Sequence, residues 1–388
     1  MDNCLSRHST PTLPSPRPPS LQKPHNFSPK TAVKFPAKRR AFPGIASAGP
    51  SHCEPTPSSS LNSPLEPRSL PGRYLSSVLQ NQRQLFHVAV SDELRLLAND
   101  RDGALSRMLL SAGSDEACLH RRVAQLKEHE CQIAIEDVMF MLIFYKFSEI
   151  KVPLVPRLSR CIYNGRLEIW PSKDWELESI HSLEILKMIK EHVTTVTGLR
   201  ADSSVTDNWA TTKITRLMLG RVYVASILYG YFLKSASLRH QLEQSLASVS
   251  QDLRLGHRPS LQFQELCPSG LRSLLFGRNS NMQCVSYGQG SSNQEVKHET
   301  LKCYVMGFDP ETLQSCAKLR TKEAVSLIEN HSDALFEDGK TGLVENDEVI
   351  LTSFSSLKRL ALEAVAFGSF LWDTEEYIDT VYKLKENN

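Results

Sequence analysis

Two short motifs occur twice in this chain, in the same order and at nearly the same interval. Residues 189–192 (IKEH) are echoed at 328–331 (IENH), and residues 229–233 (YGYFL) at 367–371 (FGSFL). From isoleucine to glycine is 41 residues in the first copy and 40 in the second. Each copy reads as a helix, a polar loop and a long helix ending in a glycine-marked apolar segment. A helical hairpin of that kind has an apolar face it cannot cover alone, and pairing two copies covers both. The expected fold is therefore mainly α: a helical bundle built from two related helical-hairpin units, with a disordered N-terminal leader and a small non-helical insertion.

The leader is residues 1–70. It holds fourteen of the twenty-one prolines, nine Lys or Arg and only three acids, Asp2, Glu54 and Glu66. Prolines at that density forbid regular structure. The basic, acid-poor, Ser-rich composition reads as an organelle-targeting segment, a chloroplast transit peptide with its linker. It has no continuous apolar stretch of a secretory signal, and Lys38-Arg39-Arg40 sits within it as part of the same basic leader. The remaining chain carries 36 basic and 40 acidic residues. A body of that sign lacks the footprint of a general nucleic-acid binder. Nine cysteines occur without a C-x-x-C pair, which argues for reduced, mostly buried thiols rather than a structural zinc site. The apolar runs 138–145 and 217–233 are respectively too short and too interrupted, by Arg221 and two glycines, for a membrane span of ~18 apolar residues.

The body divides by pattern into a first helical unit (71–247) with an insertion at 151–180, a flexible linker (248–298) and a second helical unit (299–388). Tyr74, Leu75, Val78 and Leu79 share a helical face, and a polar break falls around 99–103. Apolar spacing from Leu119 onward leads to a helix that Pro153 and Pro156 end. In the insertion, Asn164-Gly165 between apolar residues marks a hairpin or tight turn. A helix is expected over 174–196, stopped by Gly198. Another, capped by Asp207 or Asn208, is expected over 209–246, its Gly220 and Gly230 serving close helix packing. Asp309-Pro310-Glu311 opens a helix with a cap, a first-turn proline and a favourable charge. Further helices follow after Thr321 and over 353–382.

Trp170, Trp175, Glu176 and Glu178 form an aromatic–acidic cluster, readable as a partner groove or as aromatic anchors fastening the insertion to the helices. His192 and His331 occupy matching repeat positions, where two imidazoles would bind a metal, titrate near neutrality or simply lie half buried at helix ends. Gly288-x-Gly290 lacks the third glycine and the strand–helix setting of a dinucleotide fingerprint. No P-loop, H-E-x-x-H or G-x-S-x-G occurs. His120-Arg121-Arg122, Arg216 and Arg221 are small basic groups without interleaved aromatics, and Arg216 is expected to be solvated or ion-paired. No catalytic residue, metal ligand or cofactor site is assigned.

The long strings EHVTTVTGLRADSSVTDNWATTKITRLMLGRVYVASILYGYFLKSASLRHQLE, YVMGFDPETLQ and LEAVAFGSFLWD resemble the plant UV-B-induced chloroplast protein family, which carries conserved domain of unknown function number 760. The resemblance covers residues 65–385. It implies a plastid protein associated with UV-B or stress response, and it implies no catalytic residues. The combined expectation is a non-catalytic helical interaction or regulatory module of the stroma with a protein partner. The alternative is an enzyme or small-ligand-binding protein with a pocket between the two repeats.

Overall fold

The computed structural model describes residues 62–198, 210–254, 300–336, 349–385 and 387, and the side chains of 248–254 are not among those described. Most of the leader, the linker 248–298 beyond Arg254, the Gly288-x-Gly290 segment and the Asp207/Asn208 cap lie outside these residues.

The last helix, α10 (Phe354–Tyr382), has no exposed face over its middle: every residue from 359 to 371 is buried. Its sequence there, RLALEAVAFGSFL, is apolar on all sides apart from Arg359 and Glu363, and a helix of that kind must be enclosed by others. The enclosing elements are α6 (Arg216–Arg254), α2 (Phe86–Leu110), α3 (Ala117–Glu149), α5 (Leu183–Thr197) and the short α4 (Asp174–Glu178). Around them pack α1 (Leu70–Asn81), α7 (Leu301–Met306), α8 (Pro310–Ala317) and α9 (Lys322–Phe336). The protein is mainly helical, and one buried cluster runs through all of these elements except α8.

Local chemistry sets the helix starts. Ser69 accepts from the Gly72 N–H at 3.1 Å to cap α1, and Asp309 accepts from Thr312 N at 2.6 Å to cap α8 just ahead of Pro310. The ordered body begins before Tyr74. Leu65 packs on the core, and Arg68 pairs with buried Glu136 of α3 at 2.7 Å.

Four strands complete the fold: β1 (Ile162–Tyr163), β2 (Arg166–Leu167), β3 (Thr211–Thr215) and β4 (Val349–Ser353), in sheet order β1-β2-β4-β3. The β1–β2 hairpin turns through Asn164 and Gly165, both with positive φ (52° and 73°), as a two-residue loop matched to strand twist requires. β2 runs parallel to β4, and β3 runs antiparallel to it from Thr211↔Ser353 to Thr215↔Val349. α6 and α10 each leave a strand directly. Thr215 Oγ1 accepts from Met218 N at 3.3 Å at the start of α6, and Ser353 Oγ from Ser356 N at 3.2 Å at the start of α10.

Three sequence expectations are corrected. Residues 211–215 (TTKIT) form a strand, not the first turn of a helix, because β-branched residues facing β4 gain more from cross-strand pairing than from a helix end. The expected helix over 174–196 is broken at 179–182, where Ser179 closes α4 and Ser182 caps α5. The expected break at 99–103 does not occur: α2 runs straight through it with Asn99, Asp100 and Asp102 in solvent, Arg101 laid over the Tyr382 ring and Ala104 inward.

α6 and α10 cross at backbone contact. A Cβ at Gly230 would lie 2.7 Å from the Val365 carbonyl carbon and closer still to its oxygen, and a Cβ at Gly368 would lie 2.8 Å from the Ile227 carbonyl carbon and closer to its oxygen. Gly220 has no such constraint, its nearest neighbour being the Phe336 ring at 3.8 Å. Gly230→Ala and Gly368→Ala should each cost about 2–4 kcal/mol, because neither backbone can yield without separating the helices. Gly220→Ala should be neutral or stabilising by up to ~1 kcal/mol. Urea unfolding midpoints of the three variants check this, and equal losses at all three positions would contradict it.

Candidate functional site

The insertion carries Trp170 and Trp175, and the structure leaves both outside: their exposures are 85% and 80%. They do not anchor the insertion. α4 is a single turn, and Leu177 takes its inward position. Anchoring falls to buried Leu158, Leu167 and Leu177, with charges and hydrogen bonds beside them. Lys358 of α10 reaches Asp174 at 2.9 Å and Glu178 at 3.4 Å, Lys190 of α5 reaches Glu178 at 3.5 Å, and Ile169 N donates to Ser356 Oγ at 3.1 Å. Glu176 pairs with Lys173 at 2.6 Å, and that hydrogen bond holds its carboxyl below the usual range. The acids of the cluster are thus each matched to a lysine. They form a platform that presents Trp170, Trp175 and exposed Tyr163 of the hairpin to solvent.

The matched histidines have separate partner sets. His192 stacks on Tyr229 with ring centres 4.2 Å apart, and its Nε2 is 3.0 Å from Ser226 Oγ. His331 stacks on Phe367 at 4.5 Å, and its Nε2 is 3.0 Å from the Tyr223 hydroxyl. Burial holds the His192 imidazole below its ordinary value and pushes His331 down to about 3. Both rings therefore act as neutral, flat packing groups. Among the described residues no group of three or more His, Cys, Asp or Glu side chains could hold a metal.

Sequence reading missed the buried carboxylates, of which Glu363 and Glu375 lie deepest. Glu363 pairs with Arg359 at 2.9 Å and accepts from Val155 N with both oxygens at 3.1 Å, and Arg359 donates to the Pro153 carbonyl at 2.9 Å. Glu375 accepts from the Tyr231 hydroxyl at 2.6 Å and from Thr321 through its hydroxyl (2.6 Å) and backbone N–H (3.1 Å). Burial raises the pKa of both acids against the pull of these partners. The available signal was a charge within an apolar run. Arg216 is also buried, donating to the Phe336 carbonyl at the end of α9 at 2.8 Å, rather than solvated.

A cavity of about 180 Å³ opens beside the glycine crossing, between the α4–α5 turn, α6 and α10. Its polar lining is His181, Ser182, Lys234, Ser237, Gln241 and Ser369. Burial and the neighbouring Lys234 charge push the His181 imidazole down to about 4.

The family model described as Protein of unknown function (DUF760) matches residues 118–246, a span from α3 through most of α6 that includes the platform and much of the cavity lining. A chloroplastic UV-B-induced protein of Arabidopsis thaliana is 36% identical over 359 residues, covering 89% of this chain and 83% of the relative. The chain belongs to the plant UV-B-induced chloroplast protein family that carries this domain. No solved structure matches it.

His331 makes stability depend on pH in a defined direction. The folded state keeps it neutral down to about pH 3, while the unfolded imidazole takes a proton below its ordinary 6.5. Its contribution is therefore complete above pH 6.5 and is lost as pH falls from there toward 3. His331→Gln removes that titration along with the stack. Its cost in urea unfolding should be smaller at pH 5 than at pH 7.5 by about 2 kcal/mol, and a cost independent of pH would show that the ring titrates freely in the fold.

Proposed function

We propose that the chain is a non-catalytic helical interaction module of the chloroplast stroma, engaged in the response to UV-B and related stress and delivered by a transit peptide within its first 70 residues. The observation that carries the interaction role is the pair of tryptophans held almost wholly in solvent on a platform clamped by Lys358 and Lys190. Large aromatic side chains exposed on a rigid base are the usual anchors of protein interfaces. The plastid setting rests on the Arabidopsis relative's description as chloroplastic and UV-B-induced, together with the composition of the leader. A non-catalytic role is supported by Glu363, Glu375 and His331, each committed to partners inside the core rather than to a common open site.

The proposed architecture is a duplication of one unit, helix–strand–long helix, as α5–β3–α6 and α9–β4–α10. Lys213 pairs with Leu351 at the centre of the β3–β4 ladder, and each lies seventeen residues before its crossing glycine. Each glycine rests on the carbonyl three residues ahead of the other glycine, and each matched histidine stacks on the aromatic residue just before its own. These equivalences support a pseudo-twofold axis through the strand pair and the helix crossing.

Trp170→Ala/Trp175→Ala tests the interaction role. Both side chains are exposed, so unfolding stability should change by less than ~0.5 kcal/mol. Affinity capture from illuminated stromal extract should retain a defined protein on the native chain and lose it by about tenfold or more on the variant. Equal capture by both, or no partner for the native chain, overturns the reading.

A further inference from the structure

The cavity beside the crossing has the makeup of a binding site distinct from the tryptophan platform. Ser237 of α6 and Ser369 of α10 line it, each only 8% exposed, and neither hydroxyl has a hydrogen-bond partner among the described residues. Hydroxyls that open onto a cavity and are not engaged by the protein are free to bond a polar occupant. Among the described residues no carboxylate lines the cavity, whereas Lys234 does. That ammonium lies 3.0 Å from Asp373, whose second oxygen is 2.8 Å from Lys146, so one carboxylate is shared between two cations and the cluster keeps an excess of one positive charge. The remaining walls, Ile180, Ile185, Leu233 and Leu238, are aliphatic.

We propose that this cavity binds a small organic monocarboxylate, its carboxylate on Lys234 and the Ser237 and Ser369 hydroxyls and its short aliphatic part against the leucine and isoleucine walls. Single charge follows from the single excess cation, since a second carboxylate would be buried without a partner. Size follows from volume: about 180 Å³ is close to the ~150 Å³ of a protein cavity that takes up benzene, enough for a handful of heavy atoms and too little for a long acyl chain. An aliphatic wall favours an organic acid over a bare inorganic anion, which would leave that surface uncovered. His181, beside Lys234 and held neutral, reports occupancy, because a bound carboxylate favours its protonated form.

The test uses the full chain with isobutyrate, its neutral isostere isobutyramide, and inorganic phosphate. Isobutyrate should bind saturably at one site in calorimetry and raise the His181 pKa followed by proton NMR, and isobutyramide should bind at least about tenfold more weakly. Lys234→Met should weaken isobutyrate about tenfold or more. Ser237→Leu, which fills the cavity and leaves every charge in place, should abolish binding, and it decides the matter if Lys234→Met does not fold. Equal binding of acid and amide, binding unaffected by Ser237→Leu, binding of phosphate but not isobutyrate, or no saturation by about 20 mM isobutyrate would each overturn the proposal.

Discussion

Backbone contact between α6 and α10 is the constraint on which the rest of the structure depends. With glycine at 230 and 368, each helix receives the carbonyl of the other, Val365 against Gly230 and Ile227 against Gly368. No side chain separates the axes there, so the two helices lie closer than ordinary ridge-and-groove packing allows. Closeness at this point brings β3 and β4 into register upstream. It also sets His192 and His331 against the rings at 229 and 367. The glycines cost helix propensity, and the dispersion gained by two apolar helices packed without a gap offsets it.

Enclosing α10 on every side creates a second requirement, met by its buried charges. The segment after α3 is Val152-Pro153-Leu154-Val155-Pro156, whose prolines have no N–H and whose Pro153 carbonyl and buried Val155 N–H find no ladder. Glu363 and Arg359 supply the missing acceptor and donor. The ion pair is thus better understood as a clasp for a loop than as a source of stability. Replacing it with apolar groups would strand the buried Val155 N–H at about 1–3 kcal/mol. Glu375 does the same for the turn before α9, gathering Thr321 and Tyr231 onto one carboxylate.

The sequence made some of this legible and concealed the rest for physical reasons. Helix starts with local chemistry, such as Asp309-Pro310 or the Asn164-Gly165 turn, were readable because their cause lies within a few residues. The echo of glycine-marked segments located the residues of the crossing. Reading every glycine of a long helix as close packing assigned that role to Gly220 as well, since what a glycine meets is fixed by a partner element far along the chain. β3 and β4 escaped notice because a five-residue strand becomes recognisable through its partner, which here lies far along the chain. Arg359 and Glu363, spaced i and i+4, look like a solvated surface pair in isolation; only the apolar residues on every side of them tell otherwise. The tryptophans misled in the opposite sense. Their bulk suggests burial, but a one-turn helix has a single inward slot, and Leu177 occupies it.

α10 carries both proposed sites. Ser356 and Lys358 hold the tryptophan platform, and Ser369 faces the cavity thirteen residues further on, about 20 Å along the helix axis. A shared helix invites the idea that filling the cavity signals to the platform. Coupling of that kind needs an element with two arrangements that the two ligands favour differently. Between the sites α10 is clasped by Arg359 and Glu363 to the loop after α3 and locked to α6 at Gly368. Sliding it by even one residue would drive Phe367 or Ser369 into the Ile227 carbonyl. The helix is a fixed rod rather than a lever, so occupancy of the cavity reinforces the crossing where it stands and leaves the tryptophans where they are.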